Sequence, residues 1–427
     1  MGVKEQIKTN VQRNLNQQYI KRLLGIIVTK PVLYAYGRTA RSISYKYLNS
    51  FSIKSIQEAY SGKKPVGFGS IFLPYEFFHS IGASPFLPEV MAGFTASLGL
   101  ADQTLKKAAS SWYSQDLCTF HRSASGAVEM DIFPRPSFII SSNLACDAAQ
   151  KSFYHYSRVY GIEKQCYLLD VPYENNHEAV DYLSGQLRET AENIIKGTGL
   201  KMDMDKFSET IRLSNEFRKW ALKVNILRRK LLDYPSYYNG LNFILPFHGL
   251  AGTKEAVILY KQMYIELSSL LESQQRQSPD RKSYPRRLLW MHLKPYYNND
   301  IFEIIEQSDC RVVFEEINNV YWPELDPGKP FESMARKVLS HPLSGKISNR
   351  IKALKQMISD YDIDGAVLFS HWGCRHSNAG ARIIKDSLGK IGIPVLVLDG
   401  DCVDRSNSSA GQIKTRLQGY MEILNSK

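Results

Sequence analysis

Three cysteines stand where short polar loops are read as leaving buried strands. They are Cys118 in Gln115-Asp116-Leu117-Cys118, Cys146 in Ser141-Ser142-Asn143-Leu144-Ala145-Cys146-Asp147, and Cys374 in Ser370-His371-Trp372-Gly373-Cys374-Arg375. The last two follow apolar runs, Phe138-Ile139-Ile140 and Ala366-Val367-Leu368-Phe369, that have the composition of central strands in a parallel sheet. Ligands of open α/β sheets collect beyond the carboxyl ends of the strands. Thiols gathered there from distant parts of a chain suit a shared inorganic ligand, and the three read as a cradle for one iron–sulfur cluster. Cysteine thiolates hold such clusters, and the usual cubane takes four. With three, one iron keeps an exchangeable position, so it can bind a substrate oxygen as a Lewis acid and also pass an electron. Three unrelated buried thiols are the plainer alternative, and loops after central strands count against it.

The other three cysteines carry less. Cys166 and Cys310 stand at strand entrances, where a small buried thiol is ordinary. Cys402, between Asp399, Asp401 and Asp404, has acidic neighbours that oppose a thiolate and is kept only as a reserve ligand. Six cysteines in a chain of 427 residues argue against a disulfide framework. There is no CxxC or HxxxH pair for structural zinc; the one CxxH, Cys118 to His121, lacks a second pair, and His121 reads as a loop histidine.

The elements that must position these thiols alternate strand and helix in two places. Strands are expected near Pro65–Gly69, Ser137–Ser141 and Tyr167–Val171, with helices over Pro74–Ile81, Glu89–Ser111 and Ala148–Tyr160 between them. A second series places strands at Leu288–Leu293, Val312–Phe314, Ala366–Phe369 and Val395–Leu398, with helices over Asp300–Glu306, Phe331–Ser340, Ile347–Tyr361 and Ala379–Ile391, and a last one over Gln412–Leu424. Such alternation predicts an α/β fold with two doubly wound, parallel-sheet domains. Between them, Asn176 to Gln277 reads as helical, with long amphipathic stretches at His177–Lys196 and Asp205–Leu232. The expected division is a helical N-terminal region over 1–60, a first α/β domain over 61–175 with Cys118 and Cys146, a helical connector over 176–284, and a second α/β domain over 285–427 with Cys374. Ile20, Leu23, Leu24 and Ile27 set the helical spacing of the first region, and the proline-bracketed Pro279–Pro285 marks the last boundary.

Hydrophobic content of 44% and charged content of 22% belong to a soluble globular protein, and no run nears the roughly 20 apolar residues of a membrane span. The polar start, Met1 to Asn16, has no apolar core of a secretory signal, so cytoplasm is the expected location. A net charge of +12 attracts anions. The basic residues are dispersed and no nucleic-acid-binding motif accompanies them, so a phosphorylated small molecule is the expected partner, not nucleic acid.

Several segments resemble the subunits of 2-hydroxyacyl-CoA dehydratases. They are Leu73-Pro74-Tyr75-Glu76-Phe77-Phe78-His79, Asp116-Leu117-Cys118, Cys146-Asp147, Leu169-Asp170-Val171-Pro172, His371-Trp372-Gly373-Cys374, the stretch from Gly392 to Asp401, and the tail from Gln412 to Glu422. The wider family includes related subunits of ATP-dependent benzoyl-CoA reductase. The resemblance implies a heterodimer of two homologous subunits, each with one [4Fe–4S] cluster on three cysteines, here Cys118, Cys146 and Cys374. It also implies a separate ATP-dependent iron–sulfur activator that injects one electron. An acyl-CoA thioester carbonyl would become a ketyl radical anion, expel its 2-hydroxyl and lose a β-proton before the electron returns. The net reaction is (R)-2-hydroxyacyl-CoA to (E)-2-enoyl-CoA plus water.

Such chemistry needs a proton donor and a base. Glu76, among apolar neighbours, is the candidate, with Ser70 ahead of it as a hydrogen-bond donor to the thioester oxygen. A carboxylate stabilising the start of a helix and a turn hydroxyl are their ordinary alternatives. His371 and Trp372 flank the cluster loop and would tune it through hydrogen bonds to cluster sulfur or by excluding water. Arg375 and His376 would meet a CoA phosphate or balance charge; Asp399 and Asp401 read as loop caps, and Arg416 as an ion pair or subunit contact. The motif around Cys374 leaves the family branch open. The alternatives are a reductase subunit of the benzoyl-CoA type and a non-catalytic electron-transfer subunit.

Overall fold

The computed structural model describes residues 42–111, 113–276 and 284–426. The helix expected around Ile20–Ile27 and most of the Pro279–Pro285 break lie outside the described residues. Helix α1 (Ile43–Ser61) opens the described chain; the Ser42 hydroxyl accepts from the Tyr45 N–H and Gly62, in the left-handed region, ends it. The first series then runs β1 (Val66–Gly69), α2 (Glu76–Ser80), β2 (Ser84–Phe86), α3 (Pro88–Ser97), α4 (Ala101–Ser110), α5 (Thr119–Glu129), β3 (Phe138–Ser142), α6 (Asp147–Tyr160) and β4 (Cys166–Leu169).

The four strands are parallel in the order β2-β1-β3-β4. Strand β2 has no counterpart among the expected strands: three residues with a central proline give no alternation, and an edge position tolerates the missing N–H. The helix expected over Glu89–Ser111 is two helices, because the chain turns at Gly99 with φ +70°. Helix α5 is also new.

The middle of the chain is helical: α7 (His177–Thr198), α8 (Met204–Lys230), a π turn over Leu245–Gly249 and α9 (Lys254–Arg276). Asn176 and Asp203 cap the first two through their side chains. The second series runs β5 (Arg286–Met291), α10 (Ile301–Gln307), β6 (Cys310–Glu315), α11 (Pro330–Leu339), α12 (Ile347–Tyr361), β7 (Gly365–His371), α13 (Arg375–Ala379), α14 (Ala381–Gly389), β8 (Val395–Gly400) and α15 (Ala410–Asn425). Its strands are parallel in the order β6-β5-β7-β8, the same connectivity as the first sheet. Two α/β layers of parallel sheet with helical regions is the architecture expected from the sequence.

Each sheet reverses its winding between its two central strands, so the switch points lie at β1/β3 and at β5/β7. Long-range polar ties fix the helical middle to both series. On α8, Arg228 donates to Glu315 at 2.8 Å and to the Val313 carbonyl at 3.0 Å, with both charged side chains buried. On α9, the Glu266 carboxylate accepts the Ser44 N–H at 2.9 Å and the Ser44 hydroxyl at 2.6 Å, holding α1 in place. No helix among the described residues is long and apolar enough to cross a membrane.

Helices α4 and α5 meet almost backbone to backbone. A Cβ on Gly126 would lie 1.8 Å from the Thr104 carbonyl oxygen, so no side chain fits there. Since α5 carries Cys118 at its head, this contact sets that thiol's position. Gly126→Ala is expected to cost about 3 kcal/mol or more, as overpacking does, read as a lower urea midpoint.

Candidate active site

Residues just beyond both switch points line one cavity of about 350 Å³: Ile71 after β1, Cys146 after β3, His292 after β5 and Cys374 after β7. Cys118 and His371 line it too. The structure therefore brings the three singled-out cysteines to one space from the two α/β series. Cys118 differs from expectation in one respect: it follows a turn after α4 and heads α5, with no strand before it. In fact each of the three is the residue immediately preceding a helix, α5, α6 and α13 respectively.

Burial pushes all three thiols up. Cys118 lies well above the usual thiol range through burial and the nearby Cys374 and Cys146, and Cys146 is pushed up to about 12 by burial and then by Glu89. Cys374 is also raised by burial. The N–H groups at each helix head act the other way and favour the thiolate: Phe120 and His121, Ala149 and Ala148, Ser377 and His376. Among the described residues, no group of three or more His, Cys, Asp or Glu side chains closes on a point as a single metal ion requires.

Each sulfur has a histidine Nε2 beside it: His371 at 3.3 Å from Cys118, His121 at 3.2 Å from Cys146, and His292 at 3.6 Å from Cys374. The tautomer of His371 follows from its other nitrogen, which accepts the Cys402 N–H at 3.0 Å. Burial holds this imidazole neutral, its pKa lowered to about 4, so its one proton sits on Nε2 and faces Cys118. His121, expected in a loop, is in the first turn of α5. Trp372 is half exposed and donates to the Gln115 carbonyl at 3.3 Å, tying the Cys374 loop to the Cys118 turn. Arg375 pairs with Asp147 across the same seam at 2.9 Å. Buried Asp401 accepts from Thr119 at 2.7 Å and from the Val403 and Asp404 N–H groups. Arg416 pairs with Asp399, and Cys402 is buried off the cavity wall.

Two buried carboxyls, Glu76 and Glu89, come apart. Glu76 is fully buried, but Lys337 Nζ lies 2.6 Å from it and the Ser214 hydroxyl donates to it at 2.5 Å. Burial alone would raise its pKa; Lys337 and Ser214 outweigh that and lower it, contrary to the expectation from its apolar neighbours. It does not line the cavity. Glu89, absent from the sequence-based candidates, does. It sits in the first turn of α3, 7% exposed, with Oε2 buried and unpartnered, and burial raises its pKa to about 8. Ser70 follows β1 and directly precedes cavity-lining Ile71, its hydroxyl also buried and without a partner.

Residues 70–424 match the profile of the family described as 2-hydroxyglutaryl-CoA dehydratase, D-component. The chain belongs to this family. It is 25% identical over 395 residues to the (R)-phenyllactyl-CoA dehydratase alpha subunit of Clostridium sporogenes, covering 87% of this chain and 92% of the relative. It is 22% identical over 400 residues to the (R)-2-hydroxyisocaproyl-CoA dehydratase alpha subunit of Clostridioides difficile, covering 90% and 94%. Similarity to one of the subunits of benzoyl-CoA reductase from Thauera aromatica is 22% over 347 residues, covering 74% and 78%. The dehydratase and reductase branches expected from the sequence are thus the ones its relatives occupy.

In this family member, Glu89 leaves a signature in stability. Its carboxyl titrates at about 8 in the folded chain against an ordinary value of 4.5. Between those values the unfolded chain has lost the proton and the folded chain still holds it, so stability falls as pH rises through that window. Glu89→Gln is expected to remove this slope. The variant should gain on the natural chain by a few kcal/mol between pH 5 and 8, at about 1.4 kcal/mol per pKa unit. Urea midpoints across that range check it.

Proposed function

We propose that the chain is an iron–sulfur subunit of an (R)-2-hydroxyacyl-CoA dehydratase, eliminating water from an acyl-CoA. In this reading it holds one [4Fe–4S] cluster on Cys118, Cys146 and Cys374, works beside a homologous second subunit, and receives its electron from an ATP-dependent iron–sulfur activator. The observation that carries the reading is the convergence of three thiols from the two α/β series on one largely apolar cavity. Relatives named as alpha subunits support a partner subunit.

The donor set fits a cluster. Three thiols at three helix heads, all lining one cavity, offer soft sulfur ligands in a field that favours anions. Held on Cys118, Cys146 and Cys374, such a cluster would supply Lewis acidity and a low-potential electron to the thioester carbonyl. Around it, His371 presents an N–H to the Cys118 sulfur, a contact that stabilises added negative charge. Trp372 covers the seam between the two loops.

Glu89 holds the proton the reaction needs. Neutral at neutral pH, it donates to the departing 2-hydroxyl, which leaves as water. The carboxylate left behind is then a base in the same cavity and takes the β-proton, which restores the starting state. Ser70, whose unpartnered hydroxyl is buried behind cavity-lining Ile71, is off the cavity wall and receives no chemical step. Glu76 receives no chemical step, because Lys337 holds it ionised away from the cavity wall.

Anaerobic purification followed by iron and acid-labile sulfide assay tests the cluster. About four of each per chain are expected, lost in Cys146→Ala; iron-free protein after adequate iron supply would sink the assignment. With partner, activator, ATP and a reductant, the product should be an enoyl-CoA formed without net reductant consumption; a reduced acyl product would point to the reductase branch instead. Glu89→Gln is expected to keep its iron and lose about 10²- to 10⁴-fold in kcat, the size of a general acid–base contribution. A Gln variant of full activity would remove Glu89 from the mechanism.

A further inference from the structure

Helix α1 roofs the cavity with one of its faces. Tyr45, Leu48, Asn49, Ser52, Ile53 and Ile56 all line it, spaced so that they share one side of a helix. The roof is fixed from behind, by Ser44 on Glu266 and by Lys54 on Glu255 at 2.9 Å, both acceptors on α9. It also precedes residue 70, where the match to the family profile begins. The cluster-bearing loops fall inside that match and the roof falls outside it.

The surface that α1 completes is mainly aliphatic and aromatic, with Ile71, Phe94 and Ile244 facing the same space. Among the described residues, the one Arg or Lys side chain on the wall is Arg350, and it is committed to Glu316. Two of its nitrogens donate to that carboxylate at 2.6 and 2.8 Å, with the side chains 3% and 8% exposed. A carboxylate carried into the cavity on a ligand would find no uncommitted cation, and burying it unpaired is costly. Asn49 adds a polar mark on the roof: its Nδ2 is buried and without a partner, a donor for a ligand oxygen.

We propose that this face of α1 is the acyl-chain selector of the site. It admits a 2-hydroxyacyl thioester with a bulky apolar chain, branched alkyl or aryl, over one ending in a methyl or a carboxylate. The proposal rests on the acyl-CoA reading of the site given above. A methyl group leaves apolar wall uncovered, and a carboxylate adds a charge that the wall cannot pair.

The test is calorimetric binding under anaerobic conditions to the full chain with its partner subunit, without activator, so that nothing turns over. Four probes are compared: lactoyl-CoA, 2-hydroxy-4-methylpentanoyl-CoA, 3-phenyllactyl-CoA and 2-hydroxyglutaryl-CoA. The second and third are expected to bind about tenfold or more tighter than the first and fourth, the scale of an apolar pocket's discrimination. Ile56→Ala, which enlarges the roof, and Ser52→Phe, which fills the space beneath it, should each change that ratio threefold or more. Equal or tighter binding of 2-hydroxyglutaryl-CoA, a flat series, or a ratio that neither variant moves overturns the selector. Turnover of any of the four with activator would then still leave the dehydratase reading standing. If none of the four binds, the acyl-CoA reading itself fails, and the selector with it.

Discussion

The backbone of Gly373 lies against the backbone of Cys118, and the site depends on that contact. A Cβ at Gly373 would stand 2.7 Å from the Cys118 nitrogen and 2.8 Å from its Cα, and the glycine takes φ +74°, where a side chain is already unfavourable. Only this approach lets a loop leaving β7 of the second sheet bring Cys374 to the thiols of the first series. The surrounding ties repeat the same seam: Thr119 to Asp401, Trp372 to Gln115, and Arg375 to Asp147. Because Gly126 sets α5 against α4, the other side of the seam is equally constrained. Two sheets of identical connectivity thus meet with their switch points face to face.

That geometry produces an unusual electrostatic setting. Three thiols, a carboxyl and several imidazoles share a buried space in which burial opposes each group's charged form. Three helix heads supply the compensating positive potential without placing a free cation among them. The one guanidinium on the wall, among the described residues, is spoken for by Glu316. Negative charge arriving with a cluster or an added electron would therefore meet oriented N–H groups, which need no rearrangement to receive it. The same burial favours the protonated form of Glu89, as the proton donor proposed above requires.

Much of this was legible in the sequence, and the gaps have physical causes. Phe138-Ile139-Ile140 and Ala366–Phe369 announced the two central strands because fully buried parallel strands read as continuous apolar runs. Helix α5 left no such trace. It is buried on every side from Thr119 to Val128, and most of those residues are small or polar, so the sequence shows no apolar face set against a solvent face. Glu76 and Glu89 look alike locally, each near a proline in an apolar run. What separates them is Lys337, 261 residues along the chain from Glu76, which gives one carboxyl a counter-ion and leaves the other without. A local window cannot contain that difference. Cys146 and Cys374, by contrast, follow strands that the apolar runs reveal, whereas Cys118 heads α5 with no strand before it.

The division between α1 and the rest suggests how one scaffold would serve several thioesters. Loops at the switch points are held by close backbone contacts and buried hydrogen bonds, so changes there disturb the thiols themselves. Helix α1 is attached differently, through side-chain ties to α9 and the packing of its own inner face. Exchanging Leu48, Ile53 or Ile56 alters the shape of the cavity while leaving the three helix heads where they are. A roof that can vary over a floor that cannot separates the choice of substrate from the chemistry performed on it.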